Sequence, residues 1–237
     1  MKKLNIGELV SNAWDLAVQH WPIFVLISVI SSLVGGIGVK FDPTGYIEAL
    51  NIKDAATQIA MIQEAISVNY LTLLIGFLLS LYISYVSLNL YVNATTQGKP
   101  YSTLTEALKV DFNQLAIFFC AEVCYGLIVG LGLCCCLLPG IWLGVRLWYV
   151  PLLAATQGAS FGEAFRRSWE MTRGHFWELF LMGITIFGIA ILGVCACFVG
   201  IYFAEVITQF MVVLSFFALM PSEFDASTED SDYVEVQ

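Results

Sequence analysis

The sequence predicts an all-α, polytopic membrane protein: six transmembrane helices in three pseudo-repeated hairpins, each preceded by an amphipathic interfacial helix. Three observations lead there. Only 12% of the 237 residues are charged while 59% are hydrophobic, roughly half the charged share with which a soluble domain coats itself. The apolar residues fall in continuous runs long enough to cross lipid, without the alternation of a membrane strand. And one polar phrase is written near the N-terminus and again after residue 158, each time just ahead of a hydrophobic run.

A helix crosses the hydrocarbon core with about 20 apolar residues. Six segments meet that length, roughly at 22–39, 69–93, 115–137, 139–157, 177–200 and 203–220. Lys2 and Lys3 imitate a secretory leader, but residues 4–20 are amphipathic and no small-residue cleavage site follows the first apolar run, so that segment is read as a lasting span. With both termini on one side, Lys2, Lys3, Lys99, Lys109, Arg166, Arg167 and Arg173 share that side, against Lys40 and Lys53 opposite. This bias predicts a plasma (inner) membrane protein with both termini cytoplasmic.

Shifted by 155 positions, "NIGELVSNAWDLAVQH" lies on "SFGEAFRRSWEMTRGH": Gly7 meets Gly162, Glu8 meets Glu163, Trp14 meets Trp169 and His20 meets His175. A weaker third copy, "TLTEALKVDFNQL", occupies residues 103–115. In each copy a capping residue (Asn5, Thr103, Ser160) stands three places before a glutamate (Glu8, Glu106, Glu163), the spacing of a capping box. Apolar residues follow at helical spacing: Ile6, Leu9, Val10, Ala13, Trp14 and Ala17; Leu104, Ala107, Leu108, Phe112 and Leu115; Phe161, Ala164, Phe165 and Trp169, with Ser168 and Thr172 as less apolar members. Such helices can bury their stripe at the headgroup boundary. The predicted units are therefore about 5–93, 103–157 and 160–220, within a membrane domain spanning 1–221. The first unit carries a long outer connection, about 40–68, with a helix-like stretch inside it. Residues 222–237 form an acidic tail, read as solvated and disordered.

The run "LPGIWLGVRLWYVPLLAATQGASFGEAFRRSWEMTRGHFWELF", residues 138–180, resembles the six-span membrane domain attached to some bacterial glycerophosphoryl diester phosphodiesterases, and related uncharacterised membrane proteins. The resemblance extends loosely over about 1–220. It implies a topology; the phosphodiesterase's own catalytic barrel has no room in this chain, so no active site is carried over.

Among individual residues, Arg146 stands out. It lies about eight residues past the Leu138–Pro139 turn, ~12 Å along a helix, and a charge inside a span costs at least about 2.5 kcal/mol. It should therefore face a partner, with Glu205 first and Glu122 second. These three either line a polar pathway, hold an anionic headgroup, or form a structural ion pair. Arg166, Arg167 and Arg173 offer anionic lipid about 1 kcal/mol each, or simply serve topology. Trp14, His20, Trp21, Trp169, His175 and Trp177 read as an aromatic belt at headgroup level; the alternative for the two histidines is a pH-sensing or metal-binding pair.

"GASFG", residues 158–162, matches a nucleophile elbow, but no strand precedes it and Ser160 is already explained as a helix cap. The seven cysteines show no zinc spacing and are read as packing residues. Gly126-x-x-x-Gly130 and Gly140-x-x-x-Gly144 are expected to pack the hairpin of the third and fourth spans, and Pro151 to kink the fourth. No metal or cofactor motif and no nucleic-acid module is found. The expected function is a membrane domain without catalytic signature that binds lipid or organises a cytoplasmic protein partner, through its interfacial helices or its tail. The alternative is a small-solute or lipid transporter built on Arg146, Glu122 and Glu205.

Overall fold

The computed structural model describes residues 4–35, 39–41, 43–52, 54–97 and 112–220, and every structural statement here concerns those residues. The acidic tail, the repeat copy at 103–111 and Lys2, Lys3, Lys53, Lys99 and Lys109 lie outside them. The elements are α1 (Ile6–Gly35), β1 (Val39–Phe41), α2 (Pro43–Leu50), α3 (Ala55–Ala65), β2 (Ile66–Val68), α4 (Tyr70–Gln97), α5 (Phe112–Cys135), α6 (Leu137–Arg146), α7 (Val150–Thr156), α8 (Phe161–Met171), α9 (Phe176–Cys195) and α10 (Cys197–Leu219). Six segments are long and apolar enough to cross a membrane: α1, α4, α5, α6 with α7, α9, and α10 from Gly200.

The described chain divides into two compact units, one of Met1–Val25 with Tyr85–Gln237 and one of Leu26–Ser84. In the smaller unit, β1 and β2 pair antiparallel with Val39 opposite Val68 and Phe41 opposite Ile66, closing the long connection that carries α2 and α3. Asp54 caps α3: its carboxylate accepts hydrogen bonds from the Thr57 hydroxyl and, at 3.0 Å, from the Thr57 backbone N–H. Those bonds, the hydroxyl's foremost, hold the Asp54 carboxyl below the usual carboxylate range.

The residues of α1 up to Val25 belong to the larger unit. The first amphipathic stretch and the first span are one continuous helix, α1, with Pro22 inside it. This corrects the expected break between an interfacial helix and a span. Leu9, Ala13, Ala17, His20 and Phe24 are buried, and their spacing of three, four and seven keeps them on one helix face. The face runs unbroken past Pro22, so packing holds the helix through the single hydrogen bond that proline removes. At its end Phe24 stacks on Tyr91 of α4 (4.2 Å between centroids), and Phe210 of α10 meets both rings edge-on at 5.1 and 4.9 Å.

The fourth span is broken. α6 ends at Arg146, residues 147–149 form a turn, and Pro151 sits in the first turn of α7, where its missing N–H costs nothing. The break turns Tyr149 into the core, where its hydroxyl lies 2.8 Å from Ser215 Oγ of α10 and its ring packs on Phe216. Ser215 also donates to the Val212 carbonyl at 2.7 Å, so Tyr149→Phe leaves no orphaned hydroxyl. The expected loss is about 0.5–1.5 kcal/mol, read as thermal unfolding of the detergent-purified chain.

Glycine sets two hairpins, though not at all the expected positions. A Cβ on Gly140 would stand 2.5 Å from the Leu133 backbone nitrogen and 2.7 Å from its Cα, and one on Gly132 would stand 3.0 Å from Gly140 Cα. So α5 and α6 touch backbone to backbone at Gly132 and Gly140. Gly126 and Gly130 face open space, which corrects their assignment to this contact. The α9–α10 hairpin has a second such point, outside the expected positions: Gly193 against Gly200 and Ala204.

Candidate functional site

α8 follows the broken span. Two glycines in the left-handed region, Gly158 (φ 60°) and Gly174 (φ 93°), turn the chain into and out of it, a conformation that costs other residues (a Cβ resists it). Ser160 caps α8 with extended backbone, and its carbonyl accepts from Ala164 N at 2.9 Å, but its side chain makes no capping bond. The capping box expected there does not close because the Glu163 carboxylate turns forward to Arg167, one helical turn on.

The buried face of α8 is Ala164, Ser168 and Thr172. Shifted back by 155, these are Leu9, Ala13 and Ala17, the buried stripe of α1. Trp14 and Trp169 likewise match, 51% and 38% exposed. Both stretches thus pack their small-residue face on protein and leave the large aromatics outside. The expected stripe held these small residues together with Phe161 and Trp169; the protein itself covers Ala164, Ser168 and Thr172 and leaves Phe161 and Trp169 partly exposed, because small residues let α8 approach α7 closely.

Where α1 has alanines, α8 has hydroxyls, and they serve the break. A helix end leaves carbonyls without intrahelical partners. The Arg146 carbonyl accepts from Ser168 Oγ at 3.0 Å, and Thr172 Oγ1 stands 3.2 Å from it, its one proton shared with the Ser168 carbonyl at 2.9 Å. α8 is latched onto the end of α6, and the latch brings Trp169 to the Arg146 side chain. The guanidinium carbon lies 5.2 Å from the Trp169 ring centre and 5.5 Å from that of Trp142, and the two indoles meet edge-on at 5.2 Å. Each such contact contributes about 0.5–2 kcal/mol. Because Ser168 to Thr172 lie just ahead of α9, Arg146 sits near the end of the unit where α9 begins.

The ion pair expected for Arg146 is not formed. Glu205 is exposed on α10, its backbone carbonyl accepting from Thr208, and Glu122 is half-buried on α5 with no ion pair among the described residues. The guanidinium lies instead between two indoles, Trp142 of its own helix α6 and Trp169, which the latch of α8 brings to it. Arg146 Nε and Nη1 are buried and lack hydrogen-bond partners. The site is a cation clasped by two π faces with donor positions unfilled.

The basic residues of α8 are largely matched within the helix. Arg166 pairs with Glu170 at 4.0 Å, both well exposed, and Arg167 with Glu163. Arg173, exposed in the turn after α8, forms no ion pair among the described residues, so attraction to anionic lipid is weaker than three free arginines would give. His20 is buried on α1 with Nε2 unpartnered, whereas His175 Nδ1 lies 2.8 Å from Glu178, whose carboxylate also accepts from Leu4 N at 3.2 Å. No cluster of three metal-ligating side chains occurs among the described residues. Trp21 and Trp177 are exposed, as a headgroup belt requires. The described cysteine side chains, Cys120, Cys124, Cys134 to Cys136 and Cys195, are all free thiols.

Six apolar spans, a charge clasped inside one of them and aromatic side chains turned outward define a multi-pass integral membrane protein. The family model that describes the membrane domain of glycerophosphoryl diester phosphodiesterase matches residues 119–221, so the chain is similar to that domain from within α5 to the end of α10, the stretch that contains the break, the latch and Arg146. No curated protein and no solved structure matches the chain.

Proposed function

We propose that this chain is a non-enzymatic membrane domain that binds anionic lipid, with Arg146 as the headgroup ligand. The carrying observation is the guanidinium itself: buried Nε and Nη1 without acceptors, in a span, held by Trp142 and Trp169. An unpaired charge in hydrocarbon recruits a partner or reaches toward the interface. In a bilayer the group that offers several oxygens to an arginine fork is a lipid phosphate. The bound headgroup would lie in the cytoplasmic leaflet, beside the indoles of Trp142 and Trp169.

The same reading keeps the architecture of three repeated hairpins, supported by the matching burial of α1 and α8, and the inner-membrane orientation with cytoplasmic termini, supported by the basic residues. A cytoplasmic protein partner on α8 or the tail is compatible with it. Transport gains no specific support: the groove described below is lined by none of Arg146, Glu122 and Glu205.

The test is thermal unfolding of the purified chain with added phosphatidylglycerol or phosphatidylcholine. A ligand that binds only the folded state raises the midpoint. Wild type is expected to be stabilised by the anionic lipid well beyond the zwitterionic one, Arg146→Lys partly, and Arg146→Gln equally by both. Equal responses in wild type and Arg146→Gln would refute the assignment.

A further inference from the structure

We propose that the groove between α5, α6 and α9 seats one lipid acyl chain; the proposal deepens the lipid-binding reading. The groove has a volume of about 460 Å³ and lies on a different face of α6 from Arg146. Its lining includes Val129 and Leu133 of α5, Gly140 and Gly144 of α6, and Gly183 and Ile184 of α9. Every lining residue belongs to the third, fourth or fifth span, and all but Tyr125 and Trp148, which end the groove on one side, are hydrocarbon or glycine.

The groove is built into the packing. At one end the backbone contact of Gly140 with Leu133 pins α6 to α5; at the other the Trp148 indole stands 3.3 Å from where a Cβ on Gly183 would be, holding α9 at the width of a ring. Between them the floor is glycine, so neither helix can fill the space. Ile184 and Phe187 on the rim are exposed, which opens the groove sideways to its surroundings.

The lining selects the occupant. From Leu133 to Tyr125 it runs eight residues, ~12 Å, hydrocarbon or glycine between its ends and open sideways at Ile184 and Phe187. A flexible hydrocarbon chain from the surrounding bilayer can follow that path, and there it replaces a void whose walls would otherwise lose their dispersion contacts.

The experiment uses the full chain in nanodiscs of phosphatidylcholine bearing a diazirine on its acyl chain, exchanged into unlabelled lipid, then photolysed and mapped by mass spectrometry. Labelling at Val129 and Ile184 is expected to outlast labelling at Leu127 and Ile191, which are exposed on the same helices, by several-fold. Gly183→Leu, which fills the floor, and Ile184→Trp, which fills from the rim, should each abolish the persistent label. Loss at the same rate everywhere, persistence in both filled variants, or crosslinks to a second copy at Val129 would each overturn the proposal. The probe's headgroup has no net charge, so failure of the Arg146 assignment would leave this labelling intact, and its absence would leave that assignment standing.

Discussion

One methyl group added at Gly140 or at Gly193 is expected to destabilise the protein strongly, while the same change at Gly126 or Gly130 is neutral or stabilising. In Gly140→Ala the new Cβ meets the Leu133 backbone at 2.5–2.7 Å, and in Gly193→Ala it meets Ala204 Cβ at 2.7 Å and the Gly200 carbonyl at 2.8 Å. These neighbours are backbone, or a methyl fixed to it, and cannot swing aside. Relief requires whole helices to separate, and overpacking of this kind costs typically about 1–3 kcal/mol or more. At Gly126 and Gly130 nothing lies within reach, and alanine gains up to about 1 kcal/mol of helix propensity over glycine. Unfolding of the four single variants in one detergent, followed by intrinsic fluorescence, separates the pairs; a uniform loss at all four would mean that the close contacts do not exist.

The double variant Ser168→Ala with Thr172→Val is expected to be the next most damaging change. It leaves the Arg146 carbonyl buried at the end of α6 with no donor, a loss of about 1–3 kcal/mol for the orphaned acceptor. It also frees α8 to drift, and with it Trp169, so retention of anionic lipid should fall along with stability. The matching change in the first repeat copy, Ala13→Ser with Ala17→Thr, adds hydroxyls where no freed carbonyl waits and should bring no compensating gain. Thermal unfolding together with lipid retention measures both. Unchanged values for the Ser168/Thr172 variant would mean that α8 is held by apolar packing alone.

The six spans were legible because hydrophobic length is a property of the chain by itself. So was the break near Pro151, where chain chemistry opposes a straight helix. The equivalence of α1 and α8 was legible as letters, and so was the stripe that each carries; which part of the stripe packs on protein was not. Apolar periodicity marked Trp14 and Trp169 together with Ala13, Ala17, Ser168 and Thr172, and only close packing separates the small residues, which are buried, from the indoles, which are not. Helix approach is limited by side-chain size rather than driven by hydrophobicity. The partner of Arg146 was misjudged for a related reason: charge balance points to Glu205 and Glu122, and only the three-dimensional path of α8 lays Trp169 on the guanidinium. At the Gly193–Gly200 contact the α10 side carries a four-residue pair of small residues, Gly200 and Ala204, but its partner Gly193 lies across the turn, and only the folded hairpin brings the two together.

Arg146 Nε and Nη1 have no hydrogen-bond partner within the described chain, and the proposed partner is a lipid phosphate. Native mass spectrometry of the chain purified from its own membrane in mild detergent, wild type beside Arg146→Gln, identifies retained lipids directly. We expect one class of phosphate-bearing anionic lipid to stay bound to wild type and to be absent from the variant. The same adducts in both proteins, or none in either, would contradict the assignment and make the Trp142–Arg146–Trp169 clasp a structural joint between the broken span and α8.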